Sequence, residues 1–244
     1  IFAFILYLNF NRPPELDSYN CPIDDTLISE NVILLFDTTE AYIASQKAEI
    51  TNRVSSIVNS VEPLGKITAF EISSSEDSAI NSVPLTDEEY PYLCPVEGGL
   101  NTPSIVEKFN ASLLSSVGSQ ILDNVQENDQ SSSRILDGLR FVAANTIDKP
   151  YKSLIYVFSD MLEYSDVISM YNTAWFDQYQ SNRSQILSQR PIFPNNTEIE
   201  IFVISRPQVN VNEGELLRFW TETLSGDGFN SNVLPSFTRI SGGL

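Results

Sequence analysis

The sequence predicts an α/β domain built on a doubly wound, mostly parallel central sheet. Three observations carry this expectation. Short, continuous apolar runs recur at Asn31 to Phe36 (NVILLF), Leu154 to Phe158 (LIYVF) and Ile199 to Ile204 (IEIFVI). Stretches with helical spacing of apolar residues separate them. The first two runs end in acids, Asp37 and Asp160. A strand covered on both faces has no polar side, so it reads as an unbroken apolar run rather than an alternation.

Each element has its own local signal. IFAFILYLNF at the start has nine apolar residues in ten. It is read as the outer end of a transmembrane helix, over residues 1–12. Ten residues at about 1.5 Å rise fall short of a hydrocarbon core of about 30 Å, so the rest of the span is expected upstream. Tyr7 suits the lipid–water interface. A buried element of the domain and an uncleaved signal peptide are the competing readings. Pro13-Pro14 then open a linker, residues 13–30, which is stiff to about Asn20. The α/β domain is placed at 31–244.

After the first strand, Ile43, Ile50, Val54, Ile57, Val58 and Val61 share one helical stripe. Pro63 and Gly65 stop that helix, and Lys66 to Ile72 (KITAFEI) is the second strand. Residues 73–100 are irregular, with an edge strand near Tyr90 to Cys94 marked by Pro91. Thr102-Pro103 start a helix carrying Ile105, Phe109, Leu113, Val117 and Leu122. Ser133 opens another, with Ile135, Leu139 and Val142. Val167 to Tyr179 is read as helical, with Tyr171 and Trp175 on one face. Leu216, Phe219, Trp220 and Leu224 mark a helix stopped by Gly226 and Gly228. Asn232 to Ile240 supplies a last strand.

Composition narrows the function. A 42% hydrophobic and 11% aromatic content supports a core of its own. The net charge of −18, with Lys and Arg numbering 14, repels phosphate backbones and excludes nucleic acid as a partner. It suits metal ions or basic proteins. The chain has no His, which removes Ser-His-Asp, Cys-His and HExxH chemistry. No GxxxxGK[ST] or GxGxxG loop occurs. Cys21 and Cys94 are too few for a zinc cluster; they form one disulfide or stay as buried thiols.

Ligands of such sheets bind beyond the carboxyl ends of the strands, at the switch point. Adjacent strands lie about 4.8 Å apart, so Asp37 and Asp160 can converge. Thr38, Thr39, Ser159 and Ser133 bring hydroxyls to the same end. Mg²⁺ favours six oxygen ligands and keeps several waters, which suits a site with few carboxylates. The plain alternative is that both acids cap helices and loop amides.

At these residues the chain resembles the von Willebrand factor A (vWA) domain, whose metal-ion-dependent adhesion site reads D-x-S-x-S, then a Thr, then an Asp. VILLFDTTEA looks like the first part, with Asp37 as the Asp and Thr39 as the first Ser. Ala41 stands where the second Ser belongs. Ser133 in SRILDGLRF matches the Thr position, and Asp160 in LIYVFSD the last Asp. The likeness covers roughly residues 31 to 240 and implies a metal set of Asp37, Thr39, Ser133 and Asp160, weakened at Ala41. Glu40 and Glu163 are the candidate substitutes. Cys21-Pro22, Asp37-Thr38-Thr39 and Leu93-Cys94-Pro95 are further similar to membrane-anchored bacterial vWA-like proteins without an assigned activity. In the vWA topology the edge strand runs antiparallel, back to the end where the first strand begins. That geometry allows a Cys21–Cys94 disulfide, which implies an oxidising compartment.

The resemblance implies a non-enzymatic, membrane-tethered protein-binding or scaffold module. It would serve as a subunit of a membrane complex, with its soluble domain on the periplasmic or another extracytoplasmic side. The competing class is metal-dependent phosphoryl transfer with Asp37 as nucleophile. Against it, Thr39 stands where phosphatase-like folds place a second Asp, and cations for phosphate are scarce.

Overall fold

The computed structural model describes residues 14–73, 80–82, 92–94, 111, 115, 122, 133–146, 149–225 and 233–241. Six strands form one sheet: β1 (Glu30–Asp37), β2 (Lys66–Ile72), β3 (Ile80–Ser82), β4 (Lys152–Ser159), β5 (Thr197–Ile204) and β6 (Ser236–Ile240). The order across it is β3-β2-β1-β4-β5-β6. All neighbours pair in parallel except β3, which runs antiparallel to β2. The order reverses direction between β1 and β4, so their carboxyl ends form the switch point.

The helices that flank the sheet include α1 (Ala44–Ser60), α2 (Ile135–Thr146), α3 (Trp175–Ser188) and α4 (Glu213–Ser225). Side chains alternate along a strand, and β1 feeds both cores. Ile33 and Leu35 pack with Leu139, Tyr179, Phe219 and Trp220, from α2, α3 and α4. Val32, Leu34 and Phe36 pack with Ile50, Val54 and Val58 of α1. Every residue of β1 is buried, which is why Val32 to Phe36 runs apolar without a break. The sheet is therefore covered on both faces, as a doubly wound α/β fold requires.

One contact line fixes the register at the tips. Phe36 of β1 pairs with Phe158 of β4, and Phe158 with Phe202 of β5. Their rings stack at 5.0 Å and 4.8 Å between centroids. On α2, Gly138 lies so close to Ile72 that a Cβ would meet its side chain at 2.7 Å. Glycine there lets the helix seat on β2.

Three local expectations change. The helix expected at Val167 to Tyr179 begins only at Trp175. Before it, Asn172 bonds the Ala174 amide through Oδ1 at 3.0 Å and the Trp175 amide through its carbonyl at 3.0 Å. Asn competes for backbone groups in this way and starts helices rather than continuing them. The sheet also gains an edge strand at Ile80–Ser82, outside the stretch expected near Tyr90 to Cys94. Within that stretch Leu93 makes an isolated antiparallel bridge to Ile67, while Tyr90 and Pro91 lie outside the described residues. Ser133 sits two residues ahead of α2 and bridges to Tyr164. The transmembrane segment over residues 1–12 lies outside the described residues, as does most of the helix expected after Thr102. Among the described residues no helix is long and apolar enough to cross a membrane.

Residues 14–30 are tied to the domain. Leu16 bridges to Pro22, and Asp17 accepts the Tyr19 and Cys21 amides at 2.8 Å and 3.0 Å. Cys21 and Cys94 form a disulfide across 73 residues of chain, and the Cys94 amide donates to the Tyr19 carbonyl at 3.2 Å. Closing a loop of that length restricts the unfolded chain by about 4 kcal/mol. The double variant Cys21→Ser with Cys94→Ser is expected to lose stability of that order in urea unfolding. An unchanged midpoint would show that this staple contributes nothing.

Candidate functional site

The β1–β4 register decides which side chains meet. Because Phe36 pairs with Phe158, the residue beside Asp37 is Ser159, and Asp160 lies one step beyond. Ser159 Oγ donates to Asp37 Oδ2 at 2.6 Å. Thr39 donates to Asp37 Oδ1 twice, from Oγ1 at 2.6 Å and from its amide at 3.2 Å. Thr39 Oγ1 also lies 3.3 Å from Ser133 Oγ. The structure thus joins Asp37, Thr39 and Ser133 in one buried hydrogen-bonded chain. Tyr42 closes its floor by donating to the Asp37 carbonyl.

Asp160 turns the other way. Its Oδ1 accepts the Leu162 amide at 2.9 Å, and its Oδ2 lies 3.2 Å from Arg206 Nε. The turn between them places Met161 at φ 62°, a conformation that an unbranched L-residue rarely adopts. Ser159 Oγ holds the Met161 amide at 2.8 Å, and Trp220 Nε1 holds its carbonyl at 2.8 Å. Backbone strain of this kind persists where the surroundings over-determine it.

Arg206 lies just beyond the end of β5. Its Nε lies 2.9 Å from Glu40 Oε2, and its Nη1 donates to the Ala41 carbonyl at 2.7 Å. The Ala41 position, which lacks the expected hydroxyl, thus meets a guanidinium through its backbone. Neither acid expected as a substitute ligand is turned to that task. Glu40 pairs with Arg206, and its Oε1 accepts Tyr171 Oη at 2.6 Å. Glu163 is buried and accepts the Leu136 amide at 2.9 Å, so it caps the start of α2, where a carboxylate is favoured. Arg206 is the residue that sequence reasoning missed. The available signal was a lone Arg at the tip of the third central strand in a strongly acidic chain.

Burial dominates the electrostatics. It raises the Asp37 carboxyl, against the hydrogen bonds from Ser159 and Thr39. It pushes Asp160 up to about 8, with repulsion from Asp37 and Glu40 adding to it and Arg206 opposing. Glu163 is pushed up to about 7, first by burial, with the Leu136 amide opposing.

These donors do not fit a divalent cation well. Both oxygens of Asp37, Asp160 and Glu40 already accept hydrogen bonds or meet Arg206. Mg²⁺ demands a near-ideal oxygen octahedron, and Ala41 gives it no side-chain oxygen. Among the described residues no group of three or more Asp, Glu, Cys or His is placed to hold a metal ion.

No family model matches the chain, and no curated protein matches it. Solved structures resemble it distantly. An aerotolerance-related membrane protein from Bacteroides fragilis aligns over 87% of this chain and 92% of its own, at 11% identity and a TM-score of 0.39. The BatB protein of Bacteroides thetaiotaomicron aligns over 87% and 92%, at 10% identity and a TM-score of 0.42. A von Willebrand factor type A protein from Catenulispora acidiphila aligns over 87% of this chain and 39% of its own, at 12% identity and a TM-score of 0.45. The chain is an α/β domain on a mostly parallel sheet, and its likeness to these bacterial proteins is distant.

Glu163 gives a pH test. Its carboxyl keeps its proton more tightly when folded than at the ordinary 4.5. Its contribution to stability is therefore full below about pH 4.5 and is lost as pH rises through about 7. Glu163→Gln keeps an acceptor for Leu136 and cannot ionise. The stability of wild type relative to Glu163→Gln should fall across that window in pH-dependent thermal unfolding. A constant difference would show that Glu163 titrates alike in both states.

Proposed function

We propose that the chain is a membrane-tethered, protein-binding scaffold module of vWA type, which docks partners at the strand-tip face as part of a membrane complex. The observation that carries this reading is an exposed aromatic rim over a buried polar floor. Tyr164 and Tyr171 are both 39% exposed, and their rings meet edge to face at 5.8 Å. Tyr164 is bridged to Ser133, and Tyr171 is bonded to Glu40, so both are anchored to the site beneath. Ile43, just ahead of α1, is 57% exposed on the loop side of the same end. Tyrosines held rigid in this way dominate the energy of many interfaces, because little side-chain entropy is lost on docking.

Supporting this reading over phosphoryl transfer, Asp37 is 4% exposed and both its oxygens are occupied. A nucleophilic carboxylate needs an open line of attack. The net charge of −18 favours a partner with a basic surface. The tether is assigned to residues 1–12, which open with the largely apolar run IFAFILYLNF, and the Cys21–Cys94 disulfide supports an extracytoplasmic domain.

The test uses the full-length protein purified from its own membranes, with co-purifying proteins identified at fixed stoichiometry. Tyr164→Ala with Tyr171→Ala is expected to weaken that association roughly tenfold or more. Ile192→Ala changes an exposed residue that precedes β5, at the opposite end of the sheet, and should leave association intact. Equal loss in both variants, or in neither, rejects the strand-tip face. Turnover of a phosphate ester that Asp37→Asn abolishes would favour the enzyme instead.

A further inference from the structure

We propose that Arg206 is the resident cation of the strand-tip site, and that its guanidinium stands in for the divalent ion such a site would otherwise take. Four observations support this. First, Arg206 reaches from the end of β5 across β4 to the loop after β1. It contacts Asp160 and Glu40 through Nε at 3.2 Å and 2.9 Å, the Ala41 carbonyl through Nη1 at 2.7 Å and the Glu40 carbonyl through Nη2 at 3.4 Å. One planar fork thus ties together the tips of β1 and β4, the task a bridging cation performs.

Second, the side chain is only 8% exposed. A guanidinium is lowered into a dry interior only where acceptors surround it, because an isolated buried charge is strongly disfavoured. Third, the loop that carries it is fixed. Gln46 Nε2 donates to the Ser205 carbonyl at 2.9 Å, and the Ser205 amide donates to the Ile240 carbonyl at 2.9 Å. The Tyr42 ring lies 5.8 Å from the guanidinium carbon, adding an aromatic face to its surroundings. Fourth, the residue that departs from the adhesion-site pattern, Ala41, meets the guanidinium through its main chain. A serine hydroxyl serves a metal ion; here a carbonyl serves an N–H donor.

A second cation beside this one would face like-charge repulsion in a poorly solvated site, and its oxygen ligands would first have to leave Arg206. The wild-type domain is therefore indifferent to divalent ions. This inference concerns the chemistry of the site and stands apart from which partner docks above it.

The experiment titrates the purified full-length protein with Mg²⁺ and with Mn²⁺ after chelator treatment, reading calorimetric heat and the thermal midpoint. The expected result is no saturable heat and no shift for wild type. Arg206→Ala should fold with a midpoint lowered by about 10 °C and should then gain a rise with Mn²⁺ or Mg²⁺, because its acids are uncovered. Arg206→Lys retains a charge without the fork. It should stay folded and indifferent to metal, and it keeps the test decisive if the alanine variant does not fold. Saturable divalent binding by wild type overturns the proposal. So does an Arg206→Ala protein with the wild-type midpoint and no response to metal. Loss of partner association in the rim variants leaves these readings untouched, so failure of the docking face and failure of the resident cation are told apart.

Discussion

Parallel pairing of β1 with β4, with Phe36 set against Phe158, positions everything else at the strand tips. The phenylalanine stack continues to Phe202 on β5 and lies on the face that α1 covers. A slip of one residue would turn each of these side chains to the opposite face. It would also move Ser159 away from Asp37, which rests on its hydroxyl at 2.6 Å. An apolar constraint thus sets a polar geometry. The acids need no attraction between themselves to meet, because the core below delivers them.

Delivering acids to the end of a dry sheet creates an electrostatic problem. Burial and mutual repulsion raise Asp160 to about 8, and Asp37 is raised by burial as well. The fold answers with donors placed by local chain geometry. Thr39 and Ser159 serve Asp37, the Leu162 amide serves Asp160, and Arg206 spans Asp160 and Glu40. The left-handed turn at Met161 belongs to the same answer, since it aims the next amide at Asp160. Trp220 anchors that turn from α4, so a core helix holds the site's least relaxed backbone in place.

Most of the frame was legible because its signals are local. Continuous apolar runs marked β1, β4 and β5, and strand-end acids marked Asp37 and Asp160. Thr39 could be placed because it lies two residues from Asp37. The pairing of Cys21 with Cys94 became readable once a topology was assumed. What stayed hidden depends on distant partners. Nothing near Arg206 in sequence announces Glu40, and nothing near Glu163 announces the start of α2. The late start of α3 had a local cause, Asn172, but the spacing of Tyr171 and Trp175 matched a helix and masked it. The strand at Ile80–Ser82 went unread because three residues carry too little pattern.

The contrast between Glu40 and Glu163 shows why composition alone misleads about a site. Both are acids near strand ends, and either could be recruited to an ion if charge were the only criterion. Geometry separates them. Glu163 accepts the Leu136 amide at the start of α2 and is almost fully buried, so it serves the fold. Glu40 lies between Arg206 and the exposed ring of Tyr171, so it links the buried ion pair to the surface. A metal ion bound from solution would make docking depend on its concentration, by mass action. A guanidinium supplied by the chain is always present. If the domain serves as the scaffold proposed above, this arrangement gives its docking constancy under changing ionic conditions, and what it gives up is an ion-controlled switch.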